Sequence, residues 1–394
     1  MYYGLIFVLL SLISVYCFYN PTTIYFKNFK VFAFFLLFIT SGLRFETAVD
    51  WVNYKLYFKN VDYIHDIFNQ GFLDFFIKHP KEPLFTILNS LVKAFTNNVQ
   101  VLFFLISLFT TTLLFKSINN YTQKKYFLFS ILLYYVLIFF ILDMSGIRQC
   151  IALNILFYSF KFLNEKRLKR FLFFVFLASM FHYSAIVFVF GVFLRKKVNL
   201  SIITTLFLVG MGVFLFRIRW MVFSIQSLFS LFSDNNLYLR LWKYTVSESI
   251  VSKERPIFIM LFVNSIIYLF YLIGKRKYLN RNDDNFIFIN LYSLFILSTL
   301  FLWEISDFGV RFGLYFSMGL IISLPYILDF FNNISKSFIV SFILLYCFIN
   351  IRPYVLEDRS VITYNPYQNY LIYELFDIKS TGSERREIYI SDLE

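Results

Sequence analysis

Stretches of about 18–20 consecutive apolar residues recur along the whole chain, and they constrain the fold more than any other feature. A helix of this length crosses the hydrocarbon core of a bilayer. The stretches lack the alternating apolar and polar pattern of membrane barrel strands, so helices are the expected spanning elements. Because 59% of the residues are hydrophobic, we expect an all-α fold, a polytopic integral membrane helical bundle.

The apolar stretches predict about 11–13 membrane helices. The first stretch begins at Tyr2 without a basic leader or a small-residue cleavage site, so we expect a true span and not a signal peptide. The three cysteines lie inside apolar stretches and are interpreted as inert thiols. The candidate spans are residues 2–19, 30–43, 99–115, 126–142, 147–163, 170–194, 199–216, 256–273, 286–303, 311–330 and 336–350.

The short basic loops should face the cytoplasm. For all the basic loops to lie on one side of the membrane, the amphipathic segment 83–96 must lie at the membrane interface or dip into the membrane without crossing it. The stretch 170–194 must also break near His182 into two short helices that turn at the outer face. A single tilted helix over 170–194 is physically acceptable as well. The net charge of +13 is then mainly an orientation signal, and no nucleic acid is expected as a partner.

This topology leaves three long segments on the outer side: the extracytoplasmic loops 44–82 and 217–255 and the extracytoplasmic tail 351–394. They are too short to be separate globular domains, and no internal repeat is visible. We therefore predict a single membrane-embedded domain, 1–394. Most polar residues near the membrane boundary fall on this outer face, whereas the inner loops carry mainly Lys and Arg. A functional site is therefore expected to face outwards.

Arg148 is the strongest individual candidate for a functional residue. It opens a span beside Gln149, and ionisable residues at the membrane boundary are functional candidates by default. Asp143 is expected to be its counter-ion, and Ser145 and Gly146 are expected to form the short turn that precedes the span.

His182 interrupts an apolar stretch, where a structural histidine held by hydrogen bonds is the alternative interpretation. Arg44 ends a span, and taken alone it is better explained by snorkelling of its guanidinium to the interface than by a functional role.

Several arginines come from distant helix ends on the same predicted face. Guanidinium groups are planar, permanently charged and rich in donors, which suits them to phosphate oxygens. A local salt bridge with Glu304 and Asp307 is the alternative for Arg311, and an aromatic belt is the alternative for most outer Tyr and Trp residues. The outer arginines are Arg44, Arg148, Arg217, Arg219 and Arg311.

The sequence contains no nucleotide-binding fingerprint, and no residues have metal-ligand spacing. We expect no cofactor and no metal. An outward-facing site without a nucleotide still needs an activated substrate, and a lipid diphosphate would supply one. Guanidinium groups would stabilise the leaving diphosphate, and a carboxylate or histidine would remove a proton from an attacking sugar hydroxyl.

Several short motifs follow one another along the chain. The longest begins "GIRQCIALNILFY" at Gly146 and ends "ASMFHYSAIVF" at Phe188. The others are "SGLRFETAVDWVNYKLYF" (41–58), "KEPLFTILNSLV" (81–92), "VRFGLYF" (310–316) and "YNPY" (364–367). In this order they resemble EpsG-like and Wzy-type polysaccharide polymerases, the O-antigen or capsule polymerase family, and the longest motif is the strongest match. The sequence departs from the family pattern where Ala48 and Val49 precede Asp50 in place of Gly, and where Trp51 replaces Tyr.

The resemblance implies an enzyme that joins undecaprenyl diphosphate-linked oligosaccharide repeats at the periplasmic leaflet of a bacterial inner membrane. His182 or Asp50 would be the catalytic base. No protected nucleophile is visible, so we expect a single inverting displacement. Residues expected to bind the diphosphate are Arg44, Arg148, Arg311 and Arg219. Residues expected to contact the saccharide are Tyr54, Glu82, Gln149, Tyr364 and Tyr367.

Two rival functions fit parts of the pattern. A flippase or transporter of lipid-linked saccharides should place charges at mid-membrane and on both faces, with symmetry between its halves; neither feature is visible. Another glycosyltransferase or acyltransferase with a lipid-linked donor is the second rival. For a polymerase, the expected partners are membrane lipid, a flippase and a chain-length regulator. The sugars, their linkage and the chain length depend on loop shapes that the sequence does not define.

Overall fold

The computed structural model describes residues 1–196, 199–229, 264–265, 268, 286–303, 306–330, 333–356 and 359–391. All regular structure in these ranges is helical, which confirms the all-α membrane class. The contacts divide the chain into two compact units, Met1–Val192 with Ile334–Glu394, and Phe193–Asn333. The single domain expected from the sequence stays a prediction. Loop residues 230–255 lie outside the described residues, as does the expected span 256–273 except for residues 264, 265 and 268.

The first unit contains the N-terminal helices of the chain and the C-terminal tail. Its helices pack as neighbours in the pairs α1 with α8, α2 with α7, α7 with α9 and α9 with α10. These helices are α1 (Tyr2–Tyr19), α2 (Phe26–Gly42), α3 (Trp51–Asn60), α4 (Asp66–Gln70), α5 (Phe72–Lys78), α6 (Pro83–Phe95), α7 (Val99–Tyr121), α8 (Phe127–Tyr134), α9 (Ile147–Asn164) and α10 (Leu168–Ser179).

Three of the described helices are long and apolar enough to cross a membrane: Tyr2–Tyr19, Val99–Tyr121 and Lys336–Val355. Other expected spans are interrupted. After α8 the helix widens into a π-helical turn, Tyr135–Phe139, and helix Ser306–Ser323 tightens into the 3-10 helix Leu324–Phe330. Helix α6 has 13 residues and is about 20 Å long, which is too short to span. The helix count of 11–13 stays a prediction.

The stretch 170–194 breaks, as expected, into two helices near His182. Helix α10 ends at Ser179, and a 3-10 helix follows over Tyr183–Arg195. At the break, the carbonyl oxygen of Met180 accepts a hydrogen bond of 3.0 Å from the backbone N–H of Leu84, in the first turn of α6. A helix end leaves such groups without partners, so the end of α10 and the start of α6 satisfy each other.

Small residues allow α2 and α7 to approach closely. The hydroxyl groups of Ser41 and Ser107 lie 2.6 Å apart, and the Ser107 hydroxyl donates to the carbonyl oxygen of Phe38 at 2.9 Å. Gly42 faces Ser107, where a side chain would be in tight contact. Serine and glycine are typical of close helix interfaces inside membranes.

The C-terminal tail folds back onto the segment that follows α2. The backbone N–H of Phe45 donates to Gln368 O at 2.9 Å, and that of Tyr370 donates to Leu43 O at 2.7 Å. The buried guanidinium of Arg385 donates to Glu46 O at 3.2 Å and to Pro366 O at 3.0 Å. The described tail consists of helix Asn333–Val355, the 3-10 helix Arg359–Tyr364 and helices Tyr370–Leu375 and Gly382–Ser391.

The second unit is described over helices Leu200–Leu215, Trp220–Phe229, Phe286–Phe301 and Ser306–Ser323 and the 3-10 helix Leu324–Phe330. The amide of Asn290 donates to the carbonyl oxygens of Leu194 and Lys196 at 2.7 and 2.8 Å. The indole of Trp220 donates to Phe301 O at 3.0 Å. These polar contacts lie on helices that are mostly apolar.

We expect Gly319→Ala to destabilise the second unit by about 2–3 kcal/mol, because it overpacks a helix contact. A Cβ atom at Gly319 would lie 2.1 Å from the backbone nitrogen of Tyr292 and 2.5 Å from Phe288 O, both in the facing helix. Thermal unfolding of the purified protein in detergent measures the effect. At Gly212 a Cβ atom would meet nothing within 4 Å, so Gly212→Ala should be neutral or stabilising. Equal melting temperatures for both variants would contradict this packing.

Candidate functional site

A buried carboxylate joins an arginine and a histidine from three separate helical elements. Glu82 precedes α6, Arg148 lies in the first turn of α9, and His182 follows α10. The Nη1 atom of Arg148 lies 2.5 Å from Glu82 Oε2, and His182 Nδ1 lies 3.0 Å from Glu82 Oε1. The side chain of Glu82 is 3% exposed, compared with 26% for Arg148 and 13% for His182. We call these three residues the ionic triad.

The local fold places the triad in three ways. Pro83 occupies the first turn of α6, where its missing N–H costs no hydrogen bond, and Glu82 is therefore fixed immediately before a helix. The contact between Leu84 and Met180 ties this helix to the break after α10, which brings His182 to Glu82. Gly146 precedes α9 and leaves Arg148 near its N-terminus. The expected turn at Ser145 and Gly146 is confirmed.

The net effect of the surroundings is to hold the pKa of Glu82 at about 2, although burial alone would raise it. The hydrogen bond with His182 and the charge of Arg148 both favour the carboxylate form. Glu82 is therefore negatively charged at every physiological pH. An ionised acceptor makes strong, short hydrogen bonds, which fixes the orientation of both partners.

Tyr54 and Asp50 extend the cluster from α3. Tyr54 forms a side-chain hydrogen bond with Arg148, and burial raises the pKa of its phenol to about 12. Its ring lies 5.8 Å from the ring of Phe85 in α6. Asp50 Oδ2 accepts a hydrogen bond of 3.1 Å from the hydroxyl of Ser145, in the turn before α9. Helix α3 and the turn before α9 are thus joined to the triad.

Arg44 is buried, with 1% of its surface exposed. Its Nη1 donates to the carbonyl oxygen of Ser41, and the guanidinium lies 4.5 Å from the centre of the Phe103 ring. Burial lowers the pKa of Arg44 to about 10, against the opposing charge of Asp143, so the group is still a cation at neutral pH. Its Nε and Nη2 atoms have no hydrogen-bond partner. A buried cation with unused donors is suited to bind an anion.

The expected pairing of Asp143 with Arg148 is wrong. Asp143 accepts a hydrogen bond of 2.7 Å from the hydroxyl of Tyr134, and Arg148 pairs with Glu82. The reason lies in the turn between them: Asp143 precedes the turn and faces α8, whereas Arg148 follows it and faces α6. Sequence spacing alone does not distinguish these directions.

We expect the stability contribution of Asp143 to fall by about 3 kcal/mol as the pH rises from about 4 to about 7. Burial raises the pKa of Asp143 from 3.8 to about 6, opposed by Tyr134, Cys150 and Arg44. The folded state therefore holds this proton more tightly than the unfolded state does. The decrease should be absent from Asp143→Asn, in which the amide oxygen still accepts from Tyr134. Parallel melting curves of variant and wild type between pH 4.5 and 7.5 would contradict this.

The remaining predicted residues are placed as follows. Gln149 is buried. The hydroxyl of Tyr364 donates to Phe140 O at 3.1 Å, and that of Tyr367 donates to Thr40 O at 3.1 Å while its ring stacks on Tyr2 at 4.2 Å. Arg219 and Arg311 lie in the second unit and are exposed. The structure thus brings Tyr54, Glu82, Arg148 and His182 into contact, with Asp50 joined through Ser145.

The sequence missed several contributors to this arrangement. Ser145 was read as a turn residue only, and Tyr134 was assigned to an apolar span without a role. Arg385 lies in the tail and supports the Arg44 segment, a contact across more than three hundred residues that no local pattern indicates. Among the described residues, no group of three or more His, Cys, Asp or Glu side chains is placed to hold a metal ion.

Comparison with known proteins gives one family. No curated protein and no solved structure matches the chain. The model of the EpsG family matches residues 27–369, a range that includes Arg44, Asp50 and all three members of the ionic triad. The match supports a multi-pass membrane protein of the polysaccharide polymerase type, acting on lipid-linked saccharide. Since this range covers most of the chain, the protein belongs to the EpsG family.

Proposed function

We propose that this protein is a glycosyltransferase that joins oligosaccharide repeats linked to undecaprenyl diphosphate, at the outer leaflet of a bacterial inner membrane. The product would be an O-antigen, a capsule or an exopolysaccharide. The single observation that carries the proposal is the ionic triad, in which one ionised carboxylate fixes a guanidinium and an imidazole side by side. Such a pair supplies an anion-binding group and a base to the same small volume.

The arginines would bind the diphosphate of the donor. The Nη1 atom of Arg148 pairs with Glu82, and its Nε atom has no hydrogen-bond partner. In Arg44, the Nε and Nη2 atoms have no hydrogen-bond partner. Donors already in place before the reaction stabilise charge that develops on a leaving group. Arg219 and Arg311 stay sequence-based candidates for phosphate binding. Both rest on side-chain chemistry, and Arg311 also rests on the family motif 310–316.

His182 is the better of the two candidate bases. If its Nδ1–H donates to ionised Glu82, the Nε2 atom carries a lone pair and can accept a proton. The acceptor hydroxyl oxygen would then form a bond to the anomeric carbon of the donor. The bond from that carbon to the phosphate oxygen breaks, the lipid diphosphate leaves with the electron pair, and the hydroxyl proton passes to His182. One displacement of this kind inverts the anomeric centre.

Glu82 is better assigned to positioning than to saccharide binding, because both of its carboxylate oxygens are engaged. Asp50 would position the turn before α9 through Ser145, and it is the second candidate for the base. Tyr54 and Gln149 are proposed to contact saccharide near Arg148. Tyr364 and Tyr367 are proposed to line its path with their rings, since their hydroxyl groups are bound to backbone carbonyls.

Analysis of surface polysaccharide in a deletion strain tests the proposed function. Without the gene, we expect the polymer ladder to disappear while single repeat units still reach the outer leaflet, accessible to an externally added glycosidase. A flippase would instead leave the lipid-linked repeats on the cytoplasmic side, protected from the added enzyme. Protected repeats, or an unchanged ladder, would contradict the polymerase function. A flippase and a chain-length regulator are proposed as partners in the same pathway.

A further inference from the structure

A cavity of about 570 Å³ lies against α3, the helix that also carries Tyr54. Ligand-binding clefts commonly measure about 300–1,000 Å³. Its lining includes Trp51, Lys55, Phe58 and Lys59 from α3. Trp51, Lys55 and Phe58 follow one another at intervals of four and three residues, and with Lys59 they share one face of the helix. The proposed chemistry does not use this face.

Helix α3 thus separates two polar regions. Tyr54 and Tyr57 face α6, with ring centres 5.8 and 5.9 Å from the Phe85 ring, on the side of the triad. On the cavity side, the Trp51 ring lies 5.9 Å from Phe103, the residue whose ring also supports Arg44. A helix with its side chains is about 10 Å wide, so a chain bound in the cavity would pass close to the triad.

The cavity is positively charged. Its lining contains the ammonium groups of Lys55, Lys59 and Lys93, against one carboxylate, Glu374. Lys55 lies 5.2 Å from the centre of the Trp51 ring and 4.0 Å from a carboxylate oxygen of Glu46. Three cations around one cleft attract an anion.

Lys93 is held rigidly at the rim of the cavity. Its ammonium donates to the carbonyl oxygens of Lys59 and Val61, at 2.7 and 2.5 Å. An ammonium has three N–H groups, so one is left for a ligand. Because the side chain is already ordered, binding through it loses little conformational entropy.

Aromatic and amide groups complete the lining. The hydroxyl of Tyr370 accepts a hydrogen bond of 2.7 Å from the amide of Asn98, which orders both side chains. The side-chain amides of Asn97 and Asn98 also line the cavity and are exposed. The cavity wall therefore offers aromatic rings together with amide groups. This combination suits a sugar, whose ring carries apolar C–H groups on its faces and hydroxyl groups at its edge.

We propose that this cavity binds an acidic saccharide, a sugar unit bearing a carboxylate, and so guides the polymer or its acceptor to the triad. The lysines would bind the carboxylate, the aromatic rings would pack on the sugar ring, and the amides would bind hydroxyl groups. The guiding role rests on the proposed function, whereas the binding itself does not. A phospholipid headgroup would use the lysines but not the aromatic and amide lining.

Binding to the purified full-length protein in detergent tests the proposal. The probe is a hexasaccharide of alternating glucuronate and N-acetylglucosamine, titrated by calorimetry, with its carboxyl-reduced form as the neutral match. We expect saturable binding of the acidic form and at least tenfold weaker binding of the reduced form. Lys55→Gln with Lys59→Gln should weaken acidic binding at least tenfold, since both residues are exposed and the fold should persist.

The matched control is Lys27→Gln with Lys379→Gln, which removes two exposed lysines outside the cavity and should leave the affinity unchanged. Equal binding of the reduced form, or equal affinity of the Lys55/Lys59 variant, would overturn the proposal. Competition by glycerophosphoglycerol at equal affinity would overturn it too, because it would identify a lipid headgroup site. Because this assay involves no polymerisation, a protein that binds the acidic probe but makes no polymer would refute only the proposed function.

Discussion

Arg148→Ala is expected to abolish the polymer ladder, with a loss of activity of about 100-fold to 1,000-fold. The change removes the guanidinium that pairs with Glu82 and has a further nitrogen donor without a partner. Single repeat units should still be exported, because their transport does not need this group. The measurement is gel analysis of surface polysaccharide from a deletion strain that expresses the variant.

Arg148→Lys separates charge from geometry. A lysine keeps a positive charge near Glu82 but presents an ammonium, which lacks the planar fork of a guanidinium. We expect normal membrane levels and at least a tenfold loss of polymer. The control is Arg167→Ala, which removes an exposed ion pair of 2.9 Å with Glu165. A full ladder from a well-expressed Arg148→Ala protein would exclude Arg148 from the site.

Glu82→Gln is expected to lower activity about 100-fold or more while the protein still folds. The amide oxygen of glutamine can accept from Arg148, but its NH₂ group would donate to His182 Nδ1. The histidine would then carry its proton on Nε2 and lose the lone pair that acts as base. Reversal of a tautomer in this way has a large effect in other enzymes that use a carboxylate and a histidine. The amount of polymer formed at equal protein levels gives the magnitude.

The same variant should change the pH dependence of stability. The pKa of Glu82 falls from 4.5 to about 2 in the folded protein, so its contribution is complete above pH 4.5 and is lost as the pH falls towards 2. The stability of the Glu82→Gln protein should not show this decrease at low pH. A matched control is Asp66→Asn. Asp66 Oδ1 lies 3.5 Å from His65 Nε2 in a more exposed carboxylate–histidine contact, and this variant should keep full activity. Equal activity of both variants would show that the triad has no positioning role.

The helical class and the break near His182 could be predicted from sequence because both depend on local patterns. Apolar length sets the class, and the polar group inside an apolar stretch marks the break. Individual candidate residues were also identified from the sequence, including Arg148, Glu82 and His182. What the sequence did not give is which of them touch. Glu82 and His182 are one hundred positions apart, and their contact depends on a backbone hydrogen bond between Leu84 and Met180.

The prediction that Arg148 pairs with Asp143 was wrong for the same reason, because contacts cannot be read from separation along the chain. Asp143 is five positions away and was the nearest carboxylate along the chain, but the turn that ends at Gly146 directs it to Tyr134. The lysines that line the cavity were passed over for a different reason. Lysines are common in polar loop segments, and only the fold shows that Lys55 and Lys59 of α3 and Lys93 of α6 surround one cavity.

Reconstitution of the purified protein with lipid diphosphate-linked repeats tests the central claim most directly. Protein in lipid nanodiscs, supplied with these repeats alone, should form polymer and release one free lipid diphosphate for each repeat joined. The Arg148→Ala and Glu82→Gln proteins should release at least about 100-fold less under the same conditions. Formation of polymer without release of lipid diphosphate, or recovery of every repeat unchanged from the wild-type protein, would contradict the claim.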